Sequence, residues 1–396
     1  MGMLAGMRAT VIGAGIGGLV AARALALRGA HVKVLEQAPE ISEVGAGLQL
    51  SPNAVAVLRG IGLEDRLLNA GAVQAQEVRL VDYKGGDVVR LDLSRLKDQS
   101  YYFMHRADLI AMLEKGARDA GVEIELNARV ERIEDRPDGA TAFMEDGSER
   151  HADLIVGADG LHSKLREVLN GKEEPFFTGQ VAWRATIPNT MGRGPEAMVH
   201  MGPGRHLVCY PLRGGELVNL VAVQERRGWV EEGWNRRDDP ANLRAAFADF
   251  APRVQAMLEK IDDVYLWGLF RHEVAKRWHG QHVAILGDAA HPTLPFMAQG
   301  AAMAMEDAWV MAASLSGAES IPVGLALYQE RRIKRATRVI NTATDNAWKY
   351  HLSFPPLRFA AHTVMRIGGT LFPEKMLRQF DWLYTFDVTK GASGGF

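Results

Sequence analysis

Ala9-Thr10-Val11-Ile12-Gly13-Ala14-Gly15-Ile16-Gly17-Gly18, continued to Glu36, is the stretch that decides the fold. Ala9–Ile12 is a short apolar run of the kind that forms a buried parallel strand. It leads directly into G-x-G-x-x-G. Good helix formers follow from Leu19 to Arg28, and Gly29 is placed to end that helix. His31–Leu35 alternates as a second strand, with Glu36 at its carboxyl end and Gln37 next to it. Each position has a physical task. Gly13 permits the tight turn, Gly15 lets a pyrophosphate approach the backbone, and Gly18 lets helix and strand pack closely. The helix N-terminus offers unpaired N–H groups and a positive dipole end to phosphates. Glu36 stands 18 residues after Gly18, where a carboxylate accepts hydrogen bonds from ribose hydroxyls. The unit reads as dinucleotide-binding. The competing reading is a glycine turn in an unrelated α/β fold.

The rest of the chain sets bounds on that reading. At 396 residues, 47% of them hydrophobic and 24% charged, it has the composition of a globular protein with room for two domains. A formal net charge of −2 gives no reason to expect a nucleic-acid partner. The single cysteine, Cys209, rules out an intrachain disulfide and suits a reducing compartment. No uncharged apolar run reaches the roughly 18 residues that span a bilayer, and Met1–Met7 is too short for a signal peptide. A cytoplasmic protein without a membrane partner or a metal site is expected.

Further along, Gly45–Asn53 reads as a glycine-rich loop whose end caps a helix through Leu58. Residues 76 to 93 alternate around Lys84-Gly85-Gly86-Asp87 as a hairpin. From Thr178 to Leu269 strand-like runs dominate, interrupted by one helix over about Pro240–Leu258. These runs predict an antiparallel sheet inserted into the first domain. His282–Leu286 returns to a buried parallel-type strand, and helices follow to the end, with a frayed tail from Lys390. The fold class is therefore α/β: a Rossmann-like domain (1–75, 100–175 and 278–345), an inserted antiparallel-sheet substrate domain (76–99 and 176–277) and a C-terminal helical segment (346–396). The basic run Arg331–Arg338 places Arg331, Arg335 and Arg338 on one helix face. It reads as a solvated face or a subunit contact, so a homodimer fits, with phosphate binding as the alternative.

Two more glycine–acid turns follow apolar strands: Gly157-Ala158-Asp159-Gly160 and Gly287-Asp288. Ligands of open α/β sheets bind beyond the carboxyl ends of the strands, so these turns can face one cofactor together with Gly13–Gly18. Asp288 is placed to hydrogen-bond a polyol or a phosphate-bound water. With these three turns the chain resembles the single-component (class A) FAD-dependent aromatic hydroxylases, the para-hydroxybenzoate hydroxylase group. The likeness extends through His105-Arg106-Ala107-Asp108-Leu109, Tyr210–Glu216, Pro295–Gly300 and Glu306-Asp307-Ala308. The branch it is most similar to holds salicylate hydroxylase and 3-hydroxybenzoate 6-hydroxylase.

The resemblance implies roles for single residues. Glu36 and Gln37 hold the adenosine end, Arg106 contacts the ribityl–pyrophosphate region, Val130 offers its backbone to adenine, and Asp288 binds the ribityl or pyrophosphate. Gln299-Gly300-Ala301 points backbone N–H groups at the flavin edge that carries negative charge when reduced. Asp159 and Gly160 match a marker linked to both FAD and the nicotinamide donor. No second G-x-G-x-x-G exists, so NADH or NADPH would visit without a domain of its own. The implied chemistry is attack of a flavin C4a-hydroperoxide, formed with O₂, on the electron-rich ring of a small phenolic acid such as salicylate or a related hydroxybenzoate.

His206 is the candidate base that makes the phenol a phenolate. His206 and Tyr210 stand four apart on a predicted strand and so share a face, as a His and a Tyr do in hydroxybenzoate and hydroxynicotinate hydroxylases. Cys209 should face the other way, and His291 is expected to be structural. Two substrate-side positions depart from the relatives. Pro295 replaces a glutamine of the 3-hydroxybenzoate pattern, which favours a salicylate-like site, and Gln49 stands where the hydroxynicotinate branch has a histidine. The alternatives are a 6-hydroxynicotinate-type enzyme, an oxygenase of non-phenolic polyketide or quinone precursors, and a non-catalytic flavin-fold binding protein. A halogenase reading fails, because Val181–Pro188 keeps Trp183 and Ile187-Pro188 but lacks the paired tryptophans of that signature.

Overall fold

The computed structural model describes residues 2–41, 46–95, 100–226, 228 and 236–390. Its first layer is a five-stranded parallel sheet ordered Val283–Ile285, Leu154–Gly157, Arg8–Ile12, His31–Leu35, Glu123–Glu125. The opening stretch lies in the middle. Arg8–Ile12 pairs in parallel with His31–Leu35 on one side and with Leu154–Gly157 on the other. The helix Ile16–Ala26 packs over it, with nine of its residues buried. Gly13, Asp159 and Asp288 thus all follow neighbouring strands at their carboxyl ends, and one crevice collects all three turns.

The second layer is an eight-stranded sheet. Its order is Arg237–Asp238, Val264–Arg271, Phe176–Pro188, Leu217–Glu225, Arg205–Leu212, Glu196–Gly202, Glu77–Asp82, Asp87–Asp92. It is antiparallel except where Glu196–Gly202 runs parallel to Glu77–Asp82. One face carries Trp183, Leu207, Cys209 and Leu220, packed with Leu243, Phe247 and Met257. The other face, with His206, Val208 and Tyr210, looks into the crevice. Cys209 therefore does point away from Tyr210, and burial pushes its thiol up to about 11. Trp183 is a core residue whose Nε1 donates to Asp238 at 2.7 Å.

Some expectations need correction. The helix over Pro240–Leu258 is two helices, Pro240–Ala246 and Pro252–Leu258, because Pro252 has no N–H to continue a helix and starts a new one instead. Gly47–Leu50 is a strand rather than a loop, since Tyr102–His105 pairs with it. Gly45 and the tail beyond Lys390 lie outside the described residues. The basic run on the helix Ile321–Asn346 is a solvated face only in part: Lys334 and Arg338 are exposed. Arg332 is fully buried with its Nη1 2.6 Å from Glu306 and its Nε 2.7 Å from Asp307, and Arg335 holds Glu306 at 2.8 Å. No helix among the described residues is long and apolar enough to cross a membrane.

Candidate active site

A cleft of ≈ 1670 Å³ runs from the glycine turn to the inner face of the eight-stranded sheet. Ligand pockets commonly measure about 300–1,000 Å³, so this one has room for a dinucleotide and a second small molecule. Gly13, Gly15, Glu36, Gln37, Gln49, Arg106, Val130, Asp159, Gly160, His206, Tyr210, Asp288, Pro295, Gly300 and Ala301 all line it. Gly18 does not; it serves the packing beneath.

The glycines divide the work as their geometry dictates. Gly13 has φ +100°, and a Cβ there would lie 2.5 Å from the Ala158 carbonyl oxygen. A Cβ on Gly18 would lie 2.0 Å from the Gly13 carbonyl oxygen, so this contact holds helix against turn. A Cβ on Gly15 would meet nothing within 4 Å. The groove above Gly15 is thus open at a helix N-terminus with no acid in its first turn, which suits an approaching pyrophosphate. Glu36 turns inward, its oxygens accepting from Ala14 N–H at 2.8 Å and Ala38 N–H at 2.9 Å. Each oxygen keeps a further lone pair for a ribose hydroxyl. Asp288 is open to the cleft but enclosed by its walls. Desolvation raises its pKa, opposed by His291 and Arg106.

The helix Gly300–Ser316 aims its N-terminus into the cleft, with no side-chain cap and no acid in the first turn. Ala298, just before it, has φ +52°, a left-handed conformation that costs an alanine about 1 kcal/mol. A buried polar network holds this strained turn. Gln299 Nε2 donates to Ser51 Oγ at 3.0 Å, and Asn53 Nδ2 donates to Glu306 at 2.7 Å. Asp307 accepts from Gly287 N–H at 3.0 Å and binds His291 Nε2 at 2.5 Å. Glu306 and Asp307 thus tie the 299–301 turn to the Asp288 turn through Arg332, and His291 serves the scaffold.

On the sheet side, burial lowers His206 far below the usual histidine range, with His351 adding to the effect, so the ring is neutral at neutral pH. Burial pushes the Tyr210 hydroxyl up, keeping it a phenol. Gln49 accepts from the Tyr101 hydroxyl at 2.6 Å. Three residues in and behind this wall were not identified from sequence. Arg184 faces the cleft with its guanidinium 4.6 Å from the Trp267 ring. Burial lowers it to about 10, so it stays charged at pH 7. His351 and Glu225 stand behind His206: His206 Nδ1 lies 2.7 Å from His351 Nε2, and His351 Nδ1 lies 2.9 Å from Glu225 Oε1.

Burial also lowers His200, to about 3. Unfolded, each of these rings titrates near 6.5. Below that pH the unfolded chain takes up protons that the fold refuses, so stability is present above about pH 6.5 and is lost as pH falls. His200 and His206 together should cost roughly 2 kcal/mol between pH 6.5 and 5.5. Asp159 and Asp288, raised by burial, act in the opposite sense in the carboxylate range. Urea midpoints measured at both pH values check this, and equal midpoints would contradict it.

Comparison with known proteins identifies the family. Residues 7–343 match the FAD binding domain family. The 6-hydroxynicotinate 3-monooxygenase of Bordetella bronchiseptica is 34% identical over 353 residues, covering 86% of this chain and 91% of that protein. The 3-hydroxybenzoate 6-hydroxylase of Polaromonas naphthalenivorans is 34% identical over 391 residues, covering 96% of each chain. The crystal structure of Klebsiella pneumoniae HpxO complexed with FAD and uric acid superposes with a TM-score of 0.81 at 28% identity, covering 93% of this chain and 95% of that one. The chain belongs to the FAD binding domain family, among the class A FAD-dependent aromatic monooxygenases, and its cofactor is FAD.

Proposed function

We propose that this enzyme hydroxylates a small phenolic acid, salicylate or a related hydroxybenzoate, using O₂ and NADH or NADPH. One observation carries the reading. The glycine turn and two helix N-termini at one end of the cleft face a sheet that presents a neutral His206, a protonated Tyr210 and a charged Arg184 at the other. Arg184 is the only cation that the described residues of this sheet turn into the cleft, and a buried cation selects a carboxylate. FAD supplies oxygen activated from O₂ for transfer to an electron-rich ring carbon. This chain's residues do the rest. Glu36 and Gln37 hold the adenosine end, with Val130 at the adenine. Arg106 and Asp288 hold the ribityl and pyrophosphate, and the N–H groups of Gly300 and Ala301 stabilise negative charge on the ring edge. Asp159 and Gly160 border the path by which the nicotinamide donor reaches the ring.

On the substrate, Arg184 orients the carboxylate and Tyr210 the phenol oxygen, while His206 takes the phenol proton. Gln49 and Pro295 shape the wall around the ring. The domains follow the same division, with 1–75, 100–175 and 278–345 for FAD and 76–99 and 176–277 for substrate.

Two variants test the two ends of the cleft. Gly15→Val should leave the unfolding midpoint of the apoprotein unchanged and abolish flavin retention, because its side chain enters the open groove. A yellow Gly15→Val protein would contradict the cofactor placement. Arg184→Met should raise KM for an aromatic acid about 10- to 100-fold, the worth of a hydrogen bond to a charged group, and leave flavin bound. An unchanged KM would remove Arg184 from substrate binding.

A further inference from the structure

The geometry points to a proton exit from the active site, running from His206 through His351 to the Glu225 carboxylate at the surface. It rests on the reading of His206 as the base. His206 and His351 are buried, whereas the Glu225 side chain is 51% exposed, so the chain of groups ends in water. The order of atoms sets its direction. Glu225 accepts only, so His351 donates from Nδ1 at 2.9 Å and keeps a lone pair on Nε2. That nitrogen accepts from His206 Nδ1 at 2.7 Å. The remaining nitrogen of His206, Nε2, then carries a lone pair, on a ring that lines the cleft. One surface carboxylate thereby fixes two tautomers in series and leaves a base facing the substrate.

Backbone contacts hold the relay in place. Gly204 N–H donates to the His351 carbonyl at 3.1 Å, and Glu225 N–H donates to the Gly204 carbonyl at 2.8 Å. The Gly202-Pro203-Gly204 turn thus clamps the C-terminal segment carrying His351 beside the strand carrying Glu225. Tyr350 and Phe296 close over the His206 ring, with centroids at 5.3 and 5.9 Å. Among the described residues, His351 is the one titratable group that shifts His206, and Glu225 the one that shifts His351. Arg205 is turned away to Asp249 at 3.0 Å, and Lys349 sits in the cleft wall.

The step balances without redox change. The phenol O–H breaks as N–H forms at His206 Nε2. The His206 Nδ1 proton passes to His351 Nε2, the His351 Nδ1 proton passes to Glu225, and Glu225 releases a proton to water. A buried imidazolium at His206 is costly, and the relay discharges it.

Histidine ¹⁵N NMR of the FAD-loaded protein tests the arrangement without a substrate, with His206→Ala and His351→Ala supplying assignments. Both rings should be protonated at Nδ1 and bare at Nε2 near pH 7.5. A His206 protonated at Nε2 would overturn the proposal. Glu225→Gln keeps the acceptor oxygen but takes up no proton. It should preserve that ¹⁵N pattern and slow hydroxylation at least about 10-fold at pH 7, with the deficit closing at a pH where the free phenol ionises by itself. His351→Ala should show the same pH-dependent deficit, partly rescued by imidazole. Full rates at pH 7 in both variants would overturn the relay. If no phenolic acid is hydroxylated, the proposed reaction fails, while the ¹⁵N pattern still decides the relay's order of atoms.

Discussion

His206→Ala should lower hydroxylation about 10²- to 10⁴-fold while the protein stays folded and yellow. The magnitude is that of a positioned general base. The direction follows from the proposed role: a phenolate ring is far more electron-rich than a phenol, and His206 is a neutral imidazole that the sheet turns into the cleft. Retention of FAD follows from distance in function, since the glycine turn, Glu36 and the 299–301 turn are untouched. Single-turnover hydroxylation of the reduced enzyme, followed by product chromatography, separates this from an effect on flavin reduction. A variant hydroxylating at the full rate would remove His206 from the chemistry.

Arg332→Met should destabilise the fold by about 3–5 kcal/mol. The variant leaves Glu306 and Asp307 buried with one cation fewer, and breaking a buried pair by removing one partner costs that much. Lysine should not restore stability, because its single point charge cannot serve both carboxylates as the guanidinium fork does. Flavin affinity should fall as well, since Asp307 and Glu306 position the turns at Gly287 and Gln299. Denaturant unfolding of apo and FAD-loaded protein measures both effects. A loss below about 1 kcal/mol would mean the network is not what holds these turns.

The parts of this structure legible in sequence were those in which the chain talks to near neighbours. Ala9–Glu36 contains both strands, the helix and the acid of its unit, and each forms where local pattern puts it, except that the helix runs Ile16–Ala26, starting three residues and ending two residues earlier than expected. His206 and Tyr210 share a face because strand period alone decides it. Non-local partners decided the rest. Gly47–Leu50 became a strand by pairing with a segment more than fifty residues away. Arg335 read as surface charge until Glu306, on another helix, met it. Arg184 carries no motif, and only the topology of the sheet turns it into the cleft. Glu225 and His351 lie 126 residues apart, and no spacing rule joins them. The split at Pro252 was a missed local signal, since proline in a helical run marks a start or a break.

The most direct measurement is NAD(P)H oxidation by the FAD-loaded protein under ¹⁸O₂, with and without a panel of hydroxybenzoates and hydroxynicotinates, and with products analysed by mass. The account predicts that one phenolic acid stimulates oxidation strongly and leaves with one ¹⁸O on the ring. Oxidation that yields only hydrogen peroxide with every member of the panel would contradict it.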